Sequence, residues 1–194
     1  MIVLVRHGPT EWSVSGRHTG NTDVPLTDEG RETAALLRER LARYEFTTVL
    51  ASPLARARDT AELAGFGDSA EVEPDLREYD YGGYEGLTTR EIREQRPGWY
   101  LWRDGVPDGE TPDEVGDRAD RVIARALAGG GDAALFGHGH ILRVIGARWV
   151  ELHASHAGHL ALGTAAVCEL GFEREQHVIA LWNDNAHLHR RDDQ

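Results

Sequence analysis

Apolar and polar positions along the chain form blocks that predict strands and helices in turn. Ile2–Val5, Phe46–Ala51 and Ala133–Phe136 are short, largely apolar runs of the kind that form buried strands. Between these runs, apolar residues recur at helical spacing after Thr27 and after Thr111, and both threonines are suitable helix N-caps. Strands that alternate with helices indicate βαβ units and a parallel sheet.

Capping and turn residues predict the remaining elements. Ser52-Pro53 predicts a helix start, because serine is a preferred N-cap and proline is favoured at the first helical position, and Gly65–Gly67 ends that helix. The other predicted elements are a short strand, a short helix, a longer helix and two antiparallel edge strands, at Glu71–Pro74, Thr88–Gln95, Ile141–Val150, Thr164–Leu170 and Val178–Trp182. The predicted fold class is α/β, a three-layer α/β/α sandwich with a mostly parallel sheet and an antiparallel edge strand.

Length and charge narrow the classes of partner. The 194 residues suit one domain over residues 1–194, with a disordered tail expected at His187–Gln194. Lys and Arg number 21 against 33 Asp and Glu, and the net charge of −12 repels nucleic acid. No apolar run is long enough to span a membrane or to form a signal peptide, so no membrane partner is expected. The single Cys168, expected to be a packed core thiol, fits a reducing cytoplasm. The sequence predicts no oligomeric state.

Histidines follow two of the predicted strands. Arg6 and His7 come directly after the first strand, and His138 lies between two glycines after Ala133–Phe136. Both histidines are therefore expected at the carboxyl edge of the sheet, where α/β folds bind ligands. Arg56 is expected in the first turn of a helix, where its side chain and the helix N-terminus both attract an anion. Guanidinium groups around an imidazole suit a phosphate that the imidazole attacks, although His138 is alternatively a strand-end cap or a core imidazole.

A carboxylate completes this set. Glu78 lies in a loop rich in tyrosine and glycine, where desolvation would help it hold a proton. Such an acid can protonate the leaving alkoxide of a phosphate ester. The alternative is a loop carboxylate paired to Arg77 or Arg90.

Two groups of histidines have spacings that invite comparison with metal sites. They are His138 with His140, and His153 with His156 and His159. No carboxylate or thiolate pattern completes either group, and three histidines at steps of three do not share one helix face. The prediction is no metal and no other cofactor.

Four motifs, in this order, resemble those of the histidine phosphatase superfamily, also called phosphoglycerate-mutase-like. They are Leu4-Val5-Arg6-His7-Gly8, Ser52-Pro53-Leu54-Ala55-Arg56-Ala57, Leu76-Arg77-Glu78 through Tyr81-Gly82, and Gly137-His138-Gly139. The resemblance covers most of the chain. It implies a phosphohistidine enzyme in which His7 is the nucleophile and Glu78 is the proton donor. The phosphate pocket that it implies consists of Arg6, Arg56 and His138.

The segment from Glu11 to Gly20 resembles the substrate-side loop of the same family. It implicates four residues in binding the ester, namely Ser13, Arg17, Thr19 and Gly20. Pro9 and Ser13 depart from the family pattern, which more often has an acidic residue and an asparagine there. The remaining substrate-binding candidates are Tyr81, Arg103, Gly139 and His140, and Arg103 beside Trp102 is the candidate contact for a second phosphate.

Within the family, the chain is short in the region where mutases carry a basic insertion. It is more similar to fungal sedoheptulose-1,7-bisphosphatases and actinobacterial acid phosphatases. The resemblance implies a phosphomonoesterase that acts on small phosphorylated metabolites, with sugar bisphosphates as candidate substrates. A cofactor-dependent phosphoglycerate mutase and a catalytically weak phosphate-binding module are the alternatives.

Overall fold

A six-stranded sheet organises the computed structural model, which describes residues 1–188. The strands are β1 (Ile2–Arg6), β2 (Phe46–Ala51), β3 (Glu71–Val72), β4 (Asp132–Gly137), β5 (Val167–Glu173) and β6 (Gln176–Asp184). Their order across the sheet is β3-β2-β4-β1-β5-β6. The first four pair in parallel, whereas β5 pairs antiparallel with both β1 and β6. The predicted α/β class with a mostly parallel sheet is confirmed, and β5 and β6 are the two antiparallel strands predicted at its edge.

Helices connect the strands. They are α1 (Glu11–Ser15), α2 (Asp28–Leu41), α3 (Ala55–Ala61), α4 (Thr89–Gln95), α5 (Leu101–Asp104), α6 (Pro112–Ala128) and α7 (Gly139–Trp149). The predicted caps of α2 and α6 are present, because the Thr27 hydroxyl accepts from the Gly30 amide and Thr111 forms a capping box with Glu114. The short helices α1 and α5 were not predicted from the sequence.

Both faces of the sheet are covered. Ile2 and Leu4 of β1 pack in one apolar cluster with residues of α6 and α7, while Val3 and Val5 pack in a second cluster with Leu37 of α2. Alternate residues of a strand point to opposite faces, so a strand buried on both sides is apolar throughout. This packing gives the three layers predicted from the sequence.

The predicted helix start at Ser52 is wrong. Helix α3 begins at Ala55, with Leu54 as its N-cap. The Ser52 amide donates to the Phe136 carbonyl at 2.9 Å, which extends the pairing of β2 with β4, and the Ser52 hydroxyl hydrogen-bonds His138 at 2.7 Å. The Ser52 backbone therefore continues the strand pairing, and its hydroxyl hydrogen-bonds a distant histidine instead of capping the helix that follows.

The C-terminal part of the chain is only partly described. Residues 186–188 form a 3-10 turn in which His187 is buried. The expectation of a disordered tail otherwise concerns residues 189–194, which lie outside the described residues. Cys168 is buried, as predicted for a core thiol. Among residues 1–188, no helix has the length and apolarity needed to cross a bilayer.

Candidate active site

The candidate site lies where β1 and β4 end side by side. The two strands run parallel with Arg6 opposite Gly137, and the next residue of each strand is a histidine. The His7 amide donates to the Gly137 carbonyl at 3.0 Å, which holds the two strand ends together. The ring centroids of His7 and His138 are 5.2 Å apart, and both side chains are buried. The sheet thus brings together two histidines that are 131 positions apart in sequence (138 − 7).

The protonation of His7 follows from its single hydrogen bond. Its Nδ1 lies 2.7 Å from the carbonyl oxygen of Gly8. A carbonyl only accepts, so Nδ1 carries the proton and Nε2 keeps its lone pair. Burial lowers the pKa of His7 well below 6.5, and the charges of Arg6 and Arg56 lower it further against the opposing effect of the Gly8 hydrogen bond. His7 is therefore a neutral imidazole with a free Nε2, the form that acts as a nucleophile.

Arg6 is the last residue of β1 and directly precedes His7. Its Nη1 donates to the carbonyl of Leu162 at 2.5 Å, while its buried Nε has no hydrogen-bond partner among the described residues. Gly139 allows this placement, because a Cβ there would lie 3.3 Å from the Arg6 Cζ. Unused donors on a guanidinium beside His7 suit the binding of an anion.

Arg56 is fully buried behind the histidines, and most of its donors are already used. Its Nη1 donates to the carbonyl of Thr22 at 2.9 Å, and its Nη2 donates to the carbonyls of Thr19 and Gly20 at 3.1 and 3.0 Å. Its Nε donates to Nδ1 of His138 at 3.1 Å. Four of the five guanidinium N–H groups are thereby engaged, so Arg56 can offer a phosphate its charge and one hydrogen bond.

Both ring nitrogens of His138 have protein partners. Because Nδ1 accepts from Arg56, the proton of the neutral ring is on Nε2, which donates to the Ser52 hydroxyl at 2.7 Å. Burial lowers the pKa of His138 well below 6.5, with the charge of Arg56 as the next cause. In this arrangement His138 orients the guanidinium of Arg56.

Glu78 meets the N-terminus of α7. Its carboxylate accepts from the amides of Tyr79, His140 and Ile141, each at 2.9 Å. The alternative ion pair with Arg77 or Arg90 is not formed within residues 1–188, and Arg90 instead lies 4.0 Å from Glu94. Two of these three amides, those of His140 and Ile141, belong to the N-terminus of α7, where the helix dipole attracts a negative group. Glu78 is thus hydrogen-bonded to the N-terminus of α7, a contact that its aromatic loop alone did not indicate.

A cavity of about 270 Å³ opens over these groups. Among the predicted residues, its lining includes Arg6, His7, Glu78, Ser13, Arg17, Thr19, Tyr81, Gly139 and His140. Arg56 and His138 lie behind this wall and are fully buried. Most candidates from the substrate-side loop and from the start of α7 thus share one cavity with His7.

Tyr81 and His140 form a pair within the wall. The Tyr81 hydroxyl hydrogen-bonds Nδ1 of His140. Burial raises the pKa of Tyr81 and lowers that of His140 well below 6.5. Tyr81 is therefore a protonated phenol that is hydrogen-bonded to a neutral imidazole.

Two predicted substrate contacts do not reach the cavity. Arg103 is mostly exposed and binds its neighbour Asp104, with 2.7 Å between Nη2 and Oδ2, and also the carbonyl of Gly98. A carboxylate one position away captures this guanidinium, so the expected contact with a second phosphate is not available in this structure. Gly20 lies behind the cavity, where its amide donates to Glu85 and its carbonyl accepts from Arg56.

Arg143 was missed, because the sequence between Ile141 and Val150 was interpreted only as an apolar helix. It lines the cavity, and its guanidinium lies over the Trp102 ring at 5.1 Å from the centroid. Its Nε donates to the carbonyl of Ala157 at 3.0 Å, and it forms no ion pair with any described carboxylate. Burial lowers the pKa of Arg143 from its ordinary value. Its position three residues after His140 in a predicted helix is a usable signal, because such residues share a face. Other lining residues that were not predicted are Gly16, His18, Thr89 and Leu162.

The remaining histidines show no metal-ligand geometry. His153 lies 2.7 Å from the Asp113 carboxylate, and the rings of His156 and His159 are 6.2 Å apart. Within the described part of the chain, no group of three or more His, Cys, Asp or Glu side chains is arranged to hold a metal ion.

A family model, curated relatives and a solved structure all match most of this chain. The family model of the histidine phosphatase superfamily (branch 1) matches residues 2–185. An acid phosphatase of Mycobacterium tuberculosis is 43% identical over 190 residues, covering 96% of this chain and 93% of the relative. A sedoheptulose 1,7-bisphosphatase of Saccharomyces cerevisiae is 39% identical over 183 residues, covering 77% of this chain and 67% of the relative. The solved structure of an open reading frame product from M. tuberculosis matches with a TM-score of 0.89 and 42% identity, covering 94% of this chain and 96% of that one.

Proposed function

Since the chain belongs to the histidine phosphatase superfamily and is a phosphatase, we propose that it hydrolyses small phosphorylated metabolites, sugar bisphosphates among them, through a phosphohistidine at His7. One observation carries this proposal. His7, a neutral imidazole with an unprotonated Nε2, lines the same cavity as Arg6. A nucleophile and a cation that meet at one cavity suit attack on a phosphate.

In the first step, Nε2 of His7 attacks phosphorus, and the bond between phosphorus and the ester oxygen breaks. Arg6 donates hydrogen bonds to the phosphoryl oxygens, while the buried charge of Arg56 stabilises the negative charge that they carry. The leaving alkoxide takes a proton as it departs.

Glu78 is the proposed carrier of that proton. Glu78 lines the same cavity as His7, and a carboxyl group there can act as general acid. Protonated Glu78 gives its proton to the alkoxide. In the second step, the resulting carboxylate takes a proton from the water that attacks phosphorus, the bond between phosphorus and Nε2 breaks, and His7 returns to its neutral form. The sum is an ester and water giving an alcohol and phosphate.

We assign a second anionic group of the substrate to Arg143. Two further arginines, Arg17 and Arg143, line the cavity beside Arg6. Arg17 shares its charge with Glu91, whose carboxylate is 3.7 Å away, whereas Arg143 has no such partner within residues 1–188. A partly buried guanidinium without a carboxylate is a favourable contact for a distal phosphate.

A phosphoglycerate mutase is the less supported alternative, because the two relatives described above are named as a phosphatase and a bisphosphatase. A phosphate-binding module without activity is disfavoured by the free Nε2 of His7.

The two apolar clusters share one sheet, which supports a single domain over residues 1–194, and the single buried Cys168 supports a cytoplasmic location.

Purified protein tests the proposal directly. Phosphate release is measured across sugar bisphosphates, sugar monophosphates and phosphoglycerates. Interconversion of 3- and 2-phosphoglycerate is measured in parallel with 2,3-bisphosphoglycerate present. We expect release from at least one ester to exceed interconversion. Faster interconversion than release from every ester would establish the mutase alternative instead.

A further inference from the structure

The guanidinium of Arg56 rests on the backbone of one short loop. Three of its hydrogen bonds go to the carbonyls of Thr19, Gly20 and Thr22, at 2.9 to 3.1 Å. The orientation of Arg56 therefore depends on the direction in which the loop carbonyls point. Loop backbone has no ladder of its own to fix that direction, so another group must do so.

Glu85 holds this loop from the opposite side. Its carboxylate accepts from the Gly20 amide at 2.9 and 3.0 Å and from the Thr22 amide at 3.1 Å. Gly20 permits this close approach, because a Cβ there would lie 2.6 Å from Oε2 of Glu85 and 2.6 Å from the Tyr79 carbonyl. The Thr19–Gly20 peptide thus donates its N–H to Glu85 and accepts at its carbonyl from Arg56, and Thr22 likewise contacts Glu85 through its amide and Arg56 through its carbonyl.

We infer that Glu85 is a positioning residue, which fixes the carbonyls of residues 19–22 so that the Arg56 guanidinium is set for the transferred phosphoryl group. The inference rests on the proposed function. Glu85 is not among the residues that line the cavity, so it acts through Arg56 and not on the substrate. Its loss is therefore expected to weaken phosphoryl binding, whatever the leaving group.

A double-mutant cycle on orthovanadate binding separates positioning from general support of the fold. Calorimetry gives the vanadate affinity of the native protein, Glu85→Ala, Arg56→Met and the double variant. We expect Glu85→Ala to weaken binding about tenfold in the native background and less than about twofold once Arg56 is gone, because two residues acting through one path are not additive.

Glu114→Ala is the matched control. Its carboxylate also accepts from a backbone amide, that of Thr111 at 2.8 Å, but it caps α6 away from the cavity. It is expected to lower the thermal midpoint without changing the vanadate affinity of the folded protein. A purely structural role for Glu85 would give the same pattern as this control.

Glu85→Gln keeps the shape of the side chain and needs no Arg56 background, so it decides the matter if Arg56→Met does not fold. It is expected to lower kcat/KM by the same factor for an aryl and an alkyl phosphate. Equal losses of vanadate affinity in both Arg56 backgrounds, unchanged affinity in Glu85→Ala, or a loss in Glu85→Gln that depends on the leaving group would overturn the inference while the phosphatase proposal stands. A native protein that binds no vanadate would overturn both.

Discussion

Replacing Arg143 with methionine tests the assignment of the second anion. Methionine fills a similar space, and it removes the charge and the guanidinium donors together. The Nε of Arg143 donates to the Ala157 carbonyl, and no described carboxylate competes for the guanidinium. A distal phosphate can therefore bind it without first breaking an ion pair.

The expected size of the effect follows from this geometry. A hydrogen bond to a charged group contributes about 1.5 to 3 kcal/mol net, which corresponds to about 10- to 150-fold in an equilibrium constant. The upper part of that range applies when the guanidinium is already partly desolvated, as its lowered pKa indicates here. The loss falls only on substrates that carry a second phosphate. The cation–π contact with the Trp102 ring is also lost, which lowers the free energy of unfolding by about 0.5 to 1 kcal/mol. This effect does not depend on the substrate.

The assay compares kcat/KM for a sugar bisphosphate with that for the matching monophosphate. We expect Arg143→Met to lower the first by at least about tenfold and to leave the second within about twofold. Arg103→Met is the control, because that arginine is exposed and bound to Asp104. Equal losses on both substrates, or an effect of Arg103→Met as large as that of Arg143→Met, would refute the assignment.

Three further predictions concern the catalytic groups, and a fourth concerns metal. Ser52→Ala leaves the buried Nε2–H of His138 without its acceptor and should lower the free energy of unfolding, measured in urea, by about 1 to 3 kcal/mol; an unchanged value would contradict the assigned tautomer. Glu78→Gln should cripple alkyl esters but spare p-nitrophenyl phosphate, whose leaving group departs without a proton, and equal losses would indicate a binding role. Because burial holds the pKa of His7 and His138 well below 6.5, only the unfolded chain takes up these protons as pH falls below about 6.5. Urea unfolding should therefore show stability lost towards acid by up to about 1.4 kcal/mol per pH unit for each histidine, and equal stability at pH values of about 7 and 5 would contradict this. Turnover should survive exhaustive chelation, because arginines neutralise the phosphate, and a loss that a divalent metal reverses would argue against that.

Local patterns were sufficient for the scaffold of the site. Strands β1 and β4 are short, largely apolar runs that His7 and His138 follow directly, and parallel strands place such ends at one edge of a sheet. Capping boxes and helical spacing likewise predicted α6 from Thr111 onward. These features depend on residues that are close together in the sequence, which is why the sequence alone reveals them.

The sequence did not reveal most of the contacts that these residues make with distant parts of the chain. Ser52 has the local signature of an N-cap, but His138, 86 positions away, takes its hydroxyl. Arg103 and Arg143 are both plausible anion contacts in sequence, but Arg103 binds its neighbour Asp104, and only the fold shows that Arg143 faces the cavity. Glu78 has an aromatic setting, yet the helix N-terminus that it meets comes from 62 positions further along.

Trapping of the phosphoenzyme tests the central claim most directly. Rapid quenching with radiolabelled substrate should yield protein-bound label that is labile in acid and stable in alkali, located on Nε2 of His7 because Nδ1 is held by the Gly8 carbonyl. The label should be absent from His7→Ala, which should also be inactive. Undiminished turnover by His7→Ala, or label that resists acid and lies on another residue, would contradict the account.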